Sequence, residues 1–320
     1  MRLRKLALTC ALLGAVAPHL HAQTYPARPI RVVVPAPPGG IIDVVGRLLG
    51  QKITEQSGQP VIVDNRTGGL TSVGSEMVAR SPGDGYTLLL QSLPLVINPA
   101  MLGKMSYDYE KDLAPISLVV TSPYLLVVHP SVPARSIKEL LAVAKAQPGK
   151  ITYSSAGNAS NLHVAVELFA NIAGVKMLHI PYKGGGPALT AVLGGEADLS
   201  ALAVSTVMPH VSAGRLRALA ITSSQRLPAL PQIPTAAETV PGYDFASWVG
   251  VLAPSSTPPA LVNTINSIVV KAARAPDLVE RFTKDATDVV ANSPAEFRTF
   301  IQSEAKRWAK VVKDSGMRAD

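Results

Sequence analysis

Short apolar runs alternate with segments of helical periodicity along most of this chain. The runs are rich in β-branched residues, which is typical of buried strands. They predict strands at residues 30–34, 61–64, 86–91, 116–120, 124–129, 151–154, 177–180, 197–201, 216–221 and 247–253. Apolar residues three and four apart predict helices at 42–55, 71–79, 137–147, 162–173, 187–193, 206–213, 259–273, 277–284 and 294–315. This alternation predicts an α/β fold with parallel strands and helices on both faces of the sheet.

Two segments are predicted to cross between lobes. At 118–124 two strand candidates are nearly continuous, and the second crossing falls at 243–248. We therefore expect a first lobe from residues 23–121 plus 247–320 and a second lobe from 122–246. Two crossings predict a hinge, with a cleft between two doubly wound lobes.

The stretch 30–49 predicts a buried strand, a glycine turn and a helix. Gly39 and Gly40 follow the strand and bring the main chain close to whatever lies above it. A helix that begins there points free N–H groups and the positive end of its dipole outward, which makes an anion site. An ordinary strand–helix connection has the same pattern, so both interpretations stay open. Asp43 and Arg47 are four residues apart and can pair on one helix face, which would make Asp43 structural.

A second stretch of this kind runs through 151–172, with a small polar turn before its helix. Ser160 is a natural N-cap, and it can serve as a cap alone or also contact a ligand. His163 lies in the first helical turn, where the dipole disfavours a charged imidazole, so we expect it to be neutral. Its role is structural or, alternatively, that of a ligand donor.

A third glycine turn follows the strand candidate at 177–180 and contains Tyr182, Lys183 and Gly184. Lys183 can balance the charge of a bound anion there, or it can simply be exposed to solvent.

The N-terminus has the pattern of a secretory signal. Basic residues up to Lys5 precede an apolar segment at 6–17, and a cleavage site follows with Ala22 before the cut. We expect the mature chain to begin near Gln23 and to be exported. The single cysteine, Cys10, belongs to the signal, so no disulfide is expected. No later apolar stretch approaches the ~18 residues that cross a membrane, so the mature chain is not expected to be membrane-embedded.

Composition narrows the function classes. The chain is 47% hydrophobic and 16% charged, as in a well-buried globular protein. It has few aromatic residues and no basic–aromatic run, which argues against nucleic acid as a partner. The basic residues between Lys306 and Lys313 form either a solvated helix face or a surface for an acidic partner.

Motifs for catalysis and cofactors are missing from the sequence. It has no Gly-x-Ser-x-Gly elbow, no phosphate-binding glycine loop and no zinc-ligand spacing, so we expect no cofactor, no metal and no catalytic residue. An exported hydrolase using Ser160 and His163 is the alternative from another class. The two residues are one helical turn apart, which suits a cap better than a nucleophile and its base.

Many short segments, in one order, resemble a known family. They include Tyr25-Pro-Ala-Arg-Pro-Ile, Pro38-Gly-Gly-Ile-Ile-Asp, Gly85-Tyr-Thr-Leu-Leu, Tyr153-Ser-Ser-Ala-Gly, Pro181-Tyr-Lys-Gly and Ala213-Gly-Arg-Leu-Arg-Ala-Leu-Ala. Across the mature chain the sequence resembles the periplasmic solute-binding receptors of tripartite tricarboxylate transporters, often called Bug receptors. The resemblance implies a Venus-flytrap fold, a small organic carboxylate between the lobes, and inner-membrane transporter subunits as partners. A sensory receptor that presents its ligand to a membrane kinase would have the same fold and is a further alternative.

The resemblance also implies that main-chain N–H groups and ordered waters hold one carboxylate. Carried over by position, the ligand-binding candidates are Gly39, Gly40, Ile41 and Asp43 in the first turn, Gln91 and Ser92 at a strand end, Ser155, Gly157, Asn158, Ser160, Asn161 and His163 in the second turn, Tyr182, Lys183 and Gly184 in the third, and Ala203 and Ser205.

Three places depart from the usual family pattern. Ile41 and Ile42 are bulky, 68–74 is less glycine-rich, and 199–205 lacks an acidic or glycine residue. If these positions line the cleft, the pocket is more apolar than one made for citrate. We therefore expect a ligand with one anchored carboxylate and an apolar or aromatic body.

Overall fold

The computed structural model describes residues 25–315, so the predicted signal at 1–22 lies outside the described residues. The strands are β1 Ile30–Val34, β2 Val61–Asn65, β3 Thr87–Gln91, β4 Leu113–Val128, β5 Thr152–Ser155, β6 Leu178–Pro181, β7 Leu199–Ala203, β8 Arg217–Ile221, β9 Ala246–Pro254 and β10 Asp288–Val289. The helices are α1 Ile41–Ser57, α2 Ser72–Ala79, α3 Pro94–Leu102, α4 Tyr109–Asp112, α5 Ile137–Ala146, α6 Asn161–Ala173, α7 Gly185–Leu193, α8 Val204–Ser212, α9 Pro259–Ala273, α10 Pro276–Lys284 and α11 Pro294–Ser315.

The strands form one sheet in the order β2-β1-β3-β9-β4-β7-β5-β6, with β8 and β10 also paired to β4. The outer strands are parallel, as predicted: β1 pairs with β2 and β3, and β5 pairs with β6 and β7. The prediction of a parallel sheet is wrong in the middle, where β4 and β9 pair antiparallel. The chain leaves along β4 and returns along β9, so the two neighbours must run in opposite directions.

Strand β4 is continuous over 16 residues, although the sequence predicts two strands there. Its first part pairs with β9 as far as Pro123, and its second part pairs with β7 and β8 from Tyr124 onward. We call β2, β1, β3, β9 and the first part of β4 the first half-sheet. The second half-sheet is β7, β5, β6, β8 and the rest of β4.

Thr222 joins the two chain connections between the half-sheets. Its hydroxyl accepts a hydrogen bond from the Tyr124 N–H (2.7 Å) and donates to the Phe245 carbonyl (2.8 Å). Its own N–H donates to the Tyr124 carbonyl, and its carbonyl accepts from the Phe245 N–H. The outgoing and returning chains are therefore tied to each other beside the crossing.

Both faces of the first half-sheet are buried. Val33 and Leu89 belong to one apolar cluster, whereas Val32, Leu88 and Leu90 belong to another on the opposite face. Alternate residues of a strand point to opposite faces, so helices must cover both sides. This is the doubly wound arrangement that the sequence predicts, and it leaves the carboxyl ends of the strands as the natural place for a ligand.

Candidate functional site

The first turn is Pro38–Gly40, at the carboxyl end of β1. Gly39 adopts a left-handed φ of 86°, which glycine allows at little cost. Gly40 is the N-cap of α1 in an extended conformation, and no side chain caps the helix. The first N–H groups of α1 are therefore left for another acceptor, at the positive end of the helix dipole.

The side chain of Asp43 stabilises the first turn. It is 3% exposed, and its carboxylate accepts hydrogen bonds from the Gly39 N–H (3.0 Å), from Asn65 (3.0 Å) and from the guanidinium of Arg47. Burial opposes ionisation, but the hydrogen bonds from Arg47, Gly39 and Asn65 outweigh it and lower the pKa of Asp43. The carboxylate is thus fully occupied by protein groups and shapes the turn.

The second turn, 156–160, joins β5 to α6. Ser160 is the N-cap of α6: its hydroxyl accepts from the His163 N–H (3.3 Å) and donates to the Gly157 carbonyl (2.7 Å). The hydroxyl of Ser155, at the end of β5, accepts from the Gly157 N–H (3.1 Å). Asn158 in this turn is half-buried. Serine hydroxyls thus fix this turn, where a carboxylate fixes the first one.

Two histidine rings stack beneath the second turn. The rings of His163 and His179 are 4.0 Å apart, and Tyr153 stacks on His179 at 4.9 Å. Nδ1 of His163 accepts from the Ala159 N–H (3.1 Å), and Nε2 of His179 is 2.6 Å from the Ser155 hydroxyl. Burial lowers the pKa of His163 to about 3, with a further contribution from His179, and burial lowers the pKa of His179 to about 4. Both rings are neutral at physiological pH.

The third turn brings the two half-sheets together. Its Tyr182 N–H donates to the Ser155 carbonyl (3.0 Å), so it lies against the second turn. A Cβ built on Gly184, the N-cap of α7, would lie 3.8 Å from the side chain of Pro37, beside the first turn. Lys183 is exposed at this point. The three predicted turns therefore meet at one cleft.

The end of β3 completes this region. Gln91 is fully buried and its amide donates to the hydroxyls of Thr71 (3.1 Å) and Ser75 (2.9 Å), while its oxygen accepts from the Ser92 N–H. Asn161, the first residue of α6, donates to the Ser92 hydroxyl across the half-sheets (3.3 Å). Gln91 shapes the strand end, and Ser92 contacts the second turn.

The remaining three predicted residues are Ile41, Ala203 and Ser205. Ile41 packs partly against the apolar cluster of the first half-sheet. Ala203 ends β7 beside Tyr124. Ser205 is exposed on α8, and within residues 25–315 no hydrogen bond joins it to any of the turns.

Sequence reasoning missed four residues that the fold brings to the cleft region: Asn65, Tyr124, His179 and Ser247. Each lies on a strand and contacts a residue of another element: Asn65 contacts Asp43, His179 contacts Ser155, and both Tyr124 and Ser247 contact Asn161. The one local signal was a polar or half-polar side chain inside an apolar strand pattern, as at Ser247.

The hydrolase alternative needs a hydrogen bond between the Ser160 hydroxyl and the His163 ring. The Ser160 hydroxyl is occupied by main-chain groups, and Nδ1 of His163 accepts a main-chain N–H. This geometry is that of a cap and a positioned neutral ring.

A mixed α/β fold whose two half-sheets bring glycine turns to one cleft is that of a periplasmic solute-binding protein. The family model described as "Tripartite tricarboxylate transporter family receptor" matches residues 45–317. The chain therefore belongs to this family, and the resemblance to Bug receptors is confirmed. Along residues 25–315, none of the helices combines the length and apolarity of a membrane span.

Relatives and solved structures agree with this assignment. Protein BugT of Bordetella pertussis is 38% identical over 309 residues, which cover 96% of this chain and 94% of BugT. An R. palustris protein solved with adipate superimposes with a TM-score of 0.87 at 32% identity, covering 92% of this chain and 99% of that one. MatC of Rhodopseudomonas palustris with bound malate gives a TM-score of 0.83 at 29% identity, covering 90% and 100%.

Proposed function

We propose that this protein captures a small organic carboxylate in the cleft between its lobes and delivers it to the membrane subunits of a tripartite tricarboxylate transporter. The lobes in this proposal are 23–121 plus 247–320 and 122–246, and the site of action is the periplasm. The protein binds and releases its ligand and catalyses no reaction on it.

The uncapped N-terminus of α1 is the observation that carries the proposal. Its first N–H groups follow Gly40, and the third turn, from the other half-sheet, reaches Pro37 beside this turn. Main-chain donors and a helix dipole favour a small anion. An anion that touches both lobes favours their closed arrangement, because only that arrangement supplies both sets of contacts.

Adipate and malate, bound by two structural relatives, are both dicarboxylates, and this supports a carboxylate for this chain. Ile42, Leu199 and Leu202, at positions that depart from the usual family pattern, pack in apolar core clusters of the two half-sheets. These side chains therefore contribute to the core.

A thermal-shift screen of the mature chain from Gln23 tests the proposal. The panel contains mono-, di- and tricarboxylates, each with aliphatic and aromatic members, together with the matching amides as uncharged controls. A ligand at ~100 times its Kd adds about 2.7 kcal/mol to the free energy of unfolding, and the Tm rises visibly. We expect a shift with one class of carboxylate and none with its amides.

If no compound shifts the Tm, the protein is denatured and the supernatant is analysed by mass spectrometry. A carboxylate released there supports the proposal, because the site was already filled. An empty supernatant, or a released ligand without a carboxylate, overturns it.

A further inference from the structure

The C-terminal helix α11 is attached to the first half-sheet by aromatic contacts. The Phe297 ring lies edge to face on the Trp248 ring of β9 with centroids 5.9 Å apart, and the Phe300 ring lies on the same indole at 5.6 Å. A Cβ added to Gly250 of β9 would overlap the Phe297 ring. Packing this close makes α11 move with the first half-sheet.

The returning segment 243–245 is held instead by the second half-sheet. The Tyr243 hydroxyl donates to the Ala165 carbonyl of α6 (3.0 Å), and both residues are fully buried. The main chain of Phe245 is hydrogen-bonded to Thr222, which follows β8. The segment therefore moves with the second half-sheet, although it runs directly into β9 of the first.

Arg307 of α11 reaches this segment. Its Nη2 donates to the main-chain carbonyl of Asp244. Its Nη1 is 3.5 Å from the carboxylate of Glu304, which is 8% exposed and also accepts from the Trp308 indole (2.9 Å). The Trp308 ring lies edge to face on the Phe245 ring, 6.0 Å away. The guanidinium is thus held in place by α11 while it binds a carbonyl that moves with the other half-sheet. We call the contact between Arg307 and Asp244 the clasp.

The clasp is formed in an arrangement in which the half-sheets also meet at the cleft. A Cβ built on Gly184 of the third turn would lie 3.8 Å from Pro37, beside the first turn. A hinge rotation that separates these two residues moves segment 243–245 with the second half-sheet and takes the Asp244 carbonyl away from the guanidinium. Hydrogen bonds from charged donors are among the stronger ones in proteins. The clasp therefore stabilises the closed cleft relative to the open one.

We propose that Arg307 is a positioning residue for closure, and that it sets the affinity of the cleft for every ligand without touching any of them. This inference rests on the proposed binding function and adds the control of its closing step. The apparent affinity of a closing receptor depends on the fraction of ligand-free molecules that are closed. Loss of the clasp lowers that fraction and weakens all ligands by one common factor.

Distances between two spin labels test the effect on closure without any ligand. The single cysteine of the sequence, Cys10, lies in the predicted signal, so cysteines added to the mature chain are labelled selectively. Gln51→Cys and Thr190→Cys place labels at exposed positions of α1 and α7, which begin on opposite sides of the cleft. Double electron–electron resonance on this pair should show longer distances when Arg307→Ala is added.

Isothermal titration with adipate and with malate, measured well below the Tm, tests the common factor. Arg307→Ala should raise the Kd of each acid that binds by the same factor, about 10-fold. Arg298→Ala removes an exposed guanidinium from the same helix, one that has no hydrogen bond or ion pair within residues 25–315. This control should leave both the Kd values and the label distances unchanged.

A second variant acts on the other end of the clasp. Tyr243→Phe keeps the ring in the core and removes only the hydroxyl that anchors the segment to α6. If Arg307→Ala does not unfold cooperatively, Tyr243→Phe takes its place. It should lengthen the label distances and weaken both acids in the same way, by about 3-fold.

The remaining outcomes separate this inference from the proposed function. Label distances that stay unchanged or become shorter without the clasp overturn the inference and leave the carboxylate function intact. A loss of affinity for only one of two acids that both bind also overturns it, because Arg307 would then act on the ligand itself. If neither acid binds, the label distances alone decide the inference, and the thermal-shift screen decides the carboxylate function.

Discussion

The first and second turns solve one local problem by different chemistry. Both join a buried strand to a helix and present the start of that helix to the cleft. In the first turn an ionised carboxylate, Asp43, holds the loop, and the helix has no side-chain cap. In the second turn neutral groups do this work: Ser160 caps the helix and uncharged His163 accepts from the loop.

This contrast bears on the donors that each turn offers to the anion we propose. The first turn keeps its helix N–H groups free, and its one negative charge is neutralised by Arg47 beneath the loop. The second turn has already used one helix N–H on its serine cap, and it keeps positive charge away because both imidazoles are neutral. Acid should therefore damage the two turns at different pH values.

The largest expected effect is the acid sensitivity of the second turn. The pKa values of His163 and His179 are lowered in the folded chain, so below about pH 6.5 the unfolded chain binds more protons and stability falls. Each ring should cost roughly 1.4 kcal/mol per pH unit until the pH approaches its folded pKa of about 3 or about 4. Urea unfolding between pH 7 and pH 4.5 measures this slope.

His163→Gln and His179→Gln should each reduce that slope, and His129→Gln, a histidine outside the stack, is the control. An unchanged slope in both stack variants would show that other groups cause the acid sensitivity.

The next effect concerns Asp43 in the first turn. Asp43→Asn should destabilise the protein by about 2 kcal/mol at pH 7, because charged hydrogen bonds to a buried group are lost. The pKa of Asp43 is lowered on folding, so its contribution is complete above about pH 4 and disappears as the pH falls further. Asp84→Asn, which removes an exposed pair with Arg28, should cost less than about 0.5 kcal/mol. Equal losses in the two variants would contradict the structural role of Asp43.

A smaller effect is expected for the serine cap of the second turn. Ser160→Ala should cost about 1 kcal/mol, as should Ser136→Ala, which removes the cap of α5 outside the cleft. Calorimetry compares the two variants. Only Ser160→Ala should also weaken carboxylate binding. Equal affinities in the two variants would show that Ser160 serves solely as a helix cap.

The smallest effect on stability is expected for a variant that gives α1, at the first turn, a serine cap like that of α6. Gly40 is extended (φ −80°), and a Cβ there meets only the Pro37 carbonyl oxygen at 3.9 Å, so a serine fits. Gly40→Ser should stabilise the protein by only a few tenths of a kcal/mol. It should nevertheless weaken carboxylate binding, because the new hydroxyl takes an N–H from the ligand. Titration of the variant with the best ligand of the screen checks this, and an unchanged affinity would place the anion elsewhere.

The local sequence pattern predicts the bounds of an element correctly where the residues of that element alone determine its structure. Strand β1 and helices α9 and α11 have the predicted bounds, because each is an uninterrupted run of one periodicity. Helix α3 was missed because Pro94 and Pro99 suggest a loop. Pro94 lies in the first helical turn, where no N–H is needed, and Pro99 lies near the end of a helix nine residues long.

Contacts between distant parts of the chain cannot be predicted from local sequence patterns. Strand direction in the middle of the sheet follows from the route of the chain between the half-sheets, which no local window contains. His179 and Ser247 are placed at the cleft region by pairing of β6 with β5 and of β9 with β4. By contrast, Gly39, Ser160 and Gly184 were found because their conformations are encoded in the turn itself.

The four hydrogen bonds of Thr222 have a mechanical consequence. Two unconnected chain connections would allow the half-sheets to twist and slide relative to each other. Two connections that are hydrogen-bonded side by side act as a single hinge axis. Bending both strands together then preserves their mutual hydrogen bonds, and a twist between them breaks some. In the closure that we propose, these bonds favour rotation of the lobes about one line beside the two connections.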